Sequence, residues 1–102
     1  MLYEVRFAPD ARDDLLKLYD FVAEQSGGSR AIAYIGRIET FCRGFATFPH
    51  RGIARDDILP GLRLVGFEKR VTLAFHISND TVIFDRILYG GRLLPQPESP
   101  PG

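Results

Sequence analysis

Three arginines, a tyrosine and a histidine are the residues whose types and placing could do chemistry. Arg63, Arg70 and Arg86 fall on three consecutive extended stretches. His76 shares the polar side of the middle stretch with Arg70, and Tyr89 and Arg92 close the last one. Guanidinium groups grip phosphate or carboxylate, a Tyr or His moves a proton, and an aromatic ring stacks on a base. If the stretches form a meander, these groups converge on one side of a sheet. The plain alternative is the solvated face of a half-buried sheet. Arg86 complicates both, because Asp85 beside it puts one charge on each side of an apolar strand. Either one of those charges is buried and paired, or a partner protein covers a face.

The other reactive types point to structure. His50 and His76 lie in a loop and on a strand, the single thiol Cys42 lies mid-helix, and no pair has metal-ligand spacing. No metal and no cofactor are expected. Cys42 sits one step off an apolar helical seam, as a small core or flanking residue does. Asp13 and Asp14 lie close to a helix N-terminus, where negative charge opposes the macrodipole. Asp56 and Asp57 sit in a loop beside Arg55 and read as solvated. Gly27-Gly28 and Gly90-Gly91 match no phosphate-loop pattern and read as turns.

The elements that must position these groups follow from periodicity. Leu2 to Phe7 alternates, with Tyr3, Val5 and Phe7 on one side, so it predicts a half-buried strand. Pro9 suits a first helical turn, and Ala11, Leu15, Leu18, Tyr19 and Val22 make one helical stripe that ends near Gln25. Ser29 is the expected N-cap of a second helix. Its seam is Ala31, Tyr34, Ile38, Phe41, Phe45 and Phe48, and Pro49 ends it. A glycine turn between the helices folds them antiparallel. Residues 50–60 lack periodicity and read as a loop. Strands are predicted over 62–67, 70–77 and 81–89, with a tight turn at Ser78-Asn79-Asp80. The order strand, helix, helix, strand, strand, strand predicts an α+β domain, a helical hairpin packed on a small, largely antiparallel sheet. Residues 1–92 form one domain in this reading, and 93–102 a Pro-rich extended tail.

Composition sets the outer bounds. The chain has 102 residues, 45% of them hydrophobic and 25% charged, the profile of one ordinary globular domain. No run approaches the ~18 apolar residues of a membrane span, and the N-terminus alternates like a strand rather than a secretion leader. No membrane partner and a cytoplasmic location are expected. Lys and Arg number 13 and Asp and Glu 13, for a net charge of 0, whereas proteins that grip a phosphate backbone usually carry a positive excess. Residues 1–26 hold three basic against six acidic residues, and residues 61–92 five against three, so an anionic partner should meet the second half.

Some apolar residues are left over. Leu16 and Phe21 lie off the seam of the first helix, and Ile32 and Ile35 off that of the second. A two-layer domain this small has nothing of its own to cover them. Scattered exposed apolar residues are common, and the alternative is a patch for a partner helix or strand.

Three segments, taken in order, resemble a known family. They are the run from Phe7-Ala-Pro-Asp to Phe21-Val-Ala, the run from Gly61-Leu-Arg-Leu-Val-Gly-Phe to Phe75-His-Ile, and the run from Asp80-Thr-Val-Ile-Phe-Asp-Arg to Gly90-Gly-Arg. Together they resemble the ParE branch of the RelE/ParE superfamily of type II toxins across about residues 2–92. The resemblance implies a β-α-α-β-β-β toxin that inhibits DNA gyrase without a catalytic site of its own. It also implies a cognate, ParD-like antitoxin whose C-terminal segment wraps the toxin in a hetero-oligomer. Under it, Arg63, Lys69, Arg70, Arg86 and Arg92 are expected to meet the target, and Leu16, Phe21, Ile32 and Ile35 the antitoxin. The RelE-like alternative is a ribosome-dependent mRNA endoribonuclease, in which Arg63, Arg70, Arg86 and Tyr89 would be catalytic. A third is a degenerate member that binds its antitoxin and co-represses the operon. Departures from the nucleases are the zero net charge, the presence of only two lysines (Lys17 and Lys69), and Asp85 where an apolar residue is usual.

Overall fold

A single glycine turns the chain between its two long helices. The computed structural model describes residues 2–90. In it, β1 (Glu4–Phe7) leads into α1 (Pro9–Ser26), followed by α2 (Gly28–Arg43). Gly27 sits between them at φ 92°, a left-handed region that costs a side-chain-bearing residue strain. Its N–H donates to the Ala23 carbonyl, closing α1, and its own carbonyl accepts from Ala31 N, opening α2. Gly27 therefore takes the N-cap place expected of Ser29, which lies inside the helix. Pro9 is at the head of α1, where its missing N–H is no loss.

The strands β2 (Ile53–Ala54), β3 (Arg63–Phe67), β4 (Val71–Ser78) and β5 (Thr81–Tyr89) join β1 in one sheet of order β1-β5-β4-β3-β2. All neighbours are antiparallel except β1 and β5. The α+β class and the hairpin on a largely antiparallel sheet are as expected. Two details differ. The aperiodic segment 50–60 contains β2, two residues long and paired to Leu64 and Arg63. Gly52 makes that approach possible: it lies at φ 77°, and a Cβ there would run into the Leu64 carbonyl. Arg70 is in the β3–β4 turn rather than on a strand, which begins at Val71.

The core lies between the hairpin and the sheet. Ile38, Cys42 and Phe45 come down from the helical layer onto Leu73, Phe75, Val82 and Phe84, all fully buried. The rings of Phe45, Phe75 and Phe84 meet pairwise at 5.0, 5.2 and 5.4 Å, within the range in which aromatic pairs attract. Burial pushes the Cys42 thiol up to about 12, so it stays a neutral packing group. Phe48, the last residue of the expected seam, lies past the helix end and is 70% exposed. On the opposite face of the sheet, Ile58 and Leu62 fold over Ala74, so the loop before β3 covers what would otherwise be bare strand.

Candidate functional site

Arg86 and Asp85 owe their positions to a β-bulge. Opposite β4, the register runs Ala74 to Arg86 and then Phe75 to Phe84, so Asp85 is an extra residue on β5. The core residues of β5 therefore step 82, 84, then 87, and neither charge enters the core. This replaces the expectation of one charge on each face of a regular strand. Asp85 accepts instead from His76 Nδ1 at 2.7 Å, across to β4. Arg86 reaches α1, where its Nε and an Nη donate to the two oxygens of Asp14 at 2.8 and 3.1 Å.

Asp14 does more than oppose a helix dipole, which was the expectation for it. Strand β1 pairs β5 only as far as Phe84, so the outer edge of β5 is open beyond that point. Asp14 Oδ2 accepts from the backbone N–H of Ile87 at 2.8 Å and so stands where the next strand residue would be. Its side chain is 8% exposed, and all its partners come from β5. The Asp14 carboxylate holds the Arg86 guanidinium above its ordinary value. Both charges of the Asp85-Arg86 pair are thus half-buried and paired, Asp85 with His76 and Arg86 with the buried Asp14.

The expected convergence of Arg63, Arg70 and Arg86 is not met. Arg63 sits opposite Phe75 on β3, and its guanidinium is turned to the backbone carbonyls of Arg51 and Gly52, at 2.8 and 3.5 Å. Arg70 precedes Val71 at the far end of β4, about 16 Å away along the strand. Lys69 is exposed in the same turn at φ 63°. Arg92 lies outside the described residues, as does the Pro-rich tail.

Of the predicted set, Arg70 and Tyr89 are brought together. They line a groove of about 460 Å³ where the helical hairpin meets the ends of β4 and β5. The other wall is a stripe of α2, Arg30, Tyr34 and Arg37, stepping four and three along one helix face; sequence reasoning passed over both arginines and placed Tyr34 in the apolar seam. That spacing is the signal that was available. Arg37 makes two hydrogen bonds to Glu68, at 2.9 and 3.1 Å, and lies over the Tyr34 ring at 5.1 Å. The pair holds the Glu68 carboxyl below its ordinary value, chiefly through that hydrogen bonding. Tyr34 and Tyr89 meet edge to face at 6.4 Å, and burial raises the Tyr34 hydroxyl further into its neutral form.

The leftover apolar residues divide between two flanks. Leu16 and Ile35 line a second groove of about 380 Å³ between α1 and α2, together with Arg12 and Glu39. Leu16 is 65% exposed, and Ile32, one turn before Ile35, is 64% exposed. Ile35 is half-buried and packs partly on the core. Phe21 lies on the other flank of α1, against Tyr89 at a ring distance of 5.4 Å. Among the described residues no cluster of side chains could hold a metal ion, and no helix is long and apolar enough to cross a membrane.

Comparison with known proteins completes the picture. A family model described as the ParE toxin of type II toxin–antitoxin systems matches residues 5–94. Toxin ParE3 of Caulobacter vibrioides is 32% identical over 77 residues, which are 76% of each chain. The fold is similar to a chain of the chromosomal ParDE toxin–antitoxin system from P. aeruginosa, with a TM-score of 0.76 at 19% identity, covering 87% of this chain and 97% of that one. It is also similar to a chain of the RelBE2 toxin–antitoxin complex from Mycobacterium tuberculosis, with a TM-score of 0.65 at 23% identity, covering 90% and 95%. A motif order read from the sequence, a hairpin on a five-stranded sheet, and a family match over nearly all the described residues agree: this chain belongs to the ParE toxin family of type II toxin–antitoxin systems.

Proposed function

We propose that this chain acts in the cytoplasm by binding DNA gyrase, and that a cognate ParD-like antitoxin silences it in a hetero-oligomer. The observation that carries the reading is the family match, joined to the way the cationic side chains are committed. A nuclease built on Arg63, Arg70, Arg86 and Tyr89 needs those groups around one scissile phosphate. Arg86 is engaged by Asp14 and Arg63 by two backbone carbonyls, at different places on the sheet. A binding role for the exposed cations Lys69 and Arg70, with Arg92 beyond the described residues, asks for no such convergence. The groove between α1 and α2, lined by Leu16 and Ile35 and with Ile32 exposed one turn before Ile35, supports an antitoxin helix with apolar anchors on these residues, and an extended segment continuing past Phe21 toward the sheet.

The test is a supercoiling assay with purified gyrase, this chain, and the product of the adjoining antitoxin gene. Inhibition relieved by equimolar antitoxin is the expected result. Untouched gyrase together with new mRNA cuts at codon positions, read by primer extension, would transfer the function to the RelE-like nuclease reading, which the likeness to the RelBE2 chain keeps in view. No growth inhibition at all, with a tight antitoxin complex, would leave the co-repressor.

A further inference from the structure

We infer that the groove between α2 and the ends of β4 and β5 is a binding site for a nucleoside phosphate. The inference rests on the local geometry alone and stands whether or not gyrase is the target. Two of the guanidiniums at the groove, on Arg30 and Arg70, have no ion pair among the described residues. Guanidiniums donate and do not accept, and the hydroxyls of Tyr34 and Tyr89 can donate as well. Two guanidiniums on one groove, unpaired among the described residues, call for a ligand rich in acceptors and negative charge, which is what a phosphate offers. The second half of the ligand is set by the rings. Tyr34 and Tyr89, edge to face at 86°, line the groove together with Val22 and Ala33 and give it an aromatic, apolar side against which a base can pack. At about 460 Å³ the groove has room for both parts of a nucleotide. Glu68 is already held by Arg37 and still leaves acceptor capacity for an exocyclic amine.

An acidic peptide would satisfy the same cations and is the competing occupant, since the outer edge of β5 is open past Phe84, although two backbone N–H groups at the groove itself are taken. The N–H of Gly90 is spent on the Arg70 carbonyl at 2.8 Å, and Arg70 N on the Phe67 carbonyl at 3.3 Å. What favours a nucleotide over a peptide is the pair of tyrosine rings that line the groove beside the cations.

The test is titration calorimetry on the full chain with ATP, AMP, adenosine, tripolyphosphate and a polyglutamate peptide. The expected result is saturable binding of ATP or AMP that weakens about tenfold or more in Arg30→Gln plus Arg70→Gln, as loss of charge-assisted donors requires. The melting temperature of that variant should not move, since neither arginine is ion-paired within the described fold. Arg63→Gln, remote from the groove, should bind like the parent. Adenosine and tripolyphosphate should each bind at least about tenfold more weakly than ATP, because each fills half the site. Tripolyphosphate equal to ATP would overturn the ring half and leave a bare anion site. Polyglutamate tighter than every nucleotide would overturn the proposal in favour of an acidic protein partner. No saturable binding of any nucleotide would end it.

Discussion

Asp14 is a single carboxylate that satisfies a guanidinium and a strand edge at once. Removing it strands a half-buried cation and an N–H that has no other acceptor, and uncompensated groups of that kind cost more than the bonds themselves gained. Asp14→Ala is expected to lower the free energy of unfolding by about 3 kcal/mol, read as a shifted urea midpoint at unchanged slope. Asp14→Asn should recover part of this, since the amide oxygen still accepts from Ile87. Arg63→Ala makes the contrast. Its hydrogen bonds run to backbone carbonyls close to solvent, so a loss of about 1 kcal/mol or less is expected in the same experiment. If Arg63 cost more than Asp14, the assignment of the buried pair as the structural one would fail. Asp14 was legible as an acid near a helix start, but its partner lies 72 positions away, a distance no local pattern spans.

At the scale of elements, the helices and strands were readable because their periods are strong. The Phe7-Ala-Pro opening, the Ala11 to Val22 stripe and the Val71 to Ile77 alternation each admit one structure. What was not readable is geometry that depends on a neighbour. The bulge at Asp85 is invisible in the sequence of β5, because it exists only in the register against β4. The Arg30, Tyr34, Arg37 stripe was readable as a helix face, but its role depends on the β3–β4 turn that Arg37 ties down through Glu68. That tie has a pH signature. Arg37 depresses the Glu68 pKa, so the pair's contribution is present above the ordinary carboxylate range and is lost as pH falls through the lowered value. In Arg37→Ala, the Glu68 carboxyl should titrate at higher pH than in the parent, measured by carboxyl carbon NMR. An unmoved titration would show that the pair does not persist in solution. The outer groove carries its own expectation. Leu16→Asp should weaken antitoxin binding by about tenfold or more while leaving the melting temperature nearly unchanged, because an exposed anchor matters to the partner and little to the fold.

At the scale of the whole molecule, one small core joins the two layers, and its centre is the triangle of Phe45, Phe75 and Phe84. Phe45→Ala should cost about 3–5 kcal/mol, a large share of the ~5–15 kcal/mol that holds a domain of this size together. The expected readout is a chain largely unfolded at 37 °C by circular dichroism; full native signal there would mean the layers are held by something other than this cluster. The sheet order has a further consequence, in time rather than in space. Strand β5 lies between β1 and β4, and comes after all of them in the chain. Until Thr81–Tyr89 has been synthesised, β1 has no strand beside it, Asp14 has no cation, and the hairpin has only part of a sheet to sit on. Loop closure over that span is entropically slow compared with forming the hairpin itself. A ribosome making this chain therefore carries a mostly unfolded product until translation is well advanced. An antitoxin already present has that interval in which to meet the newborn chain before its binding surfaces are complete.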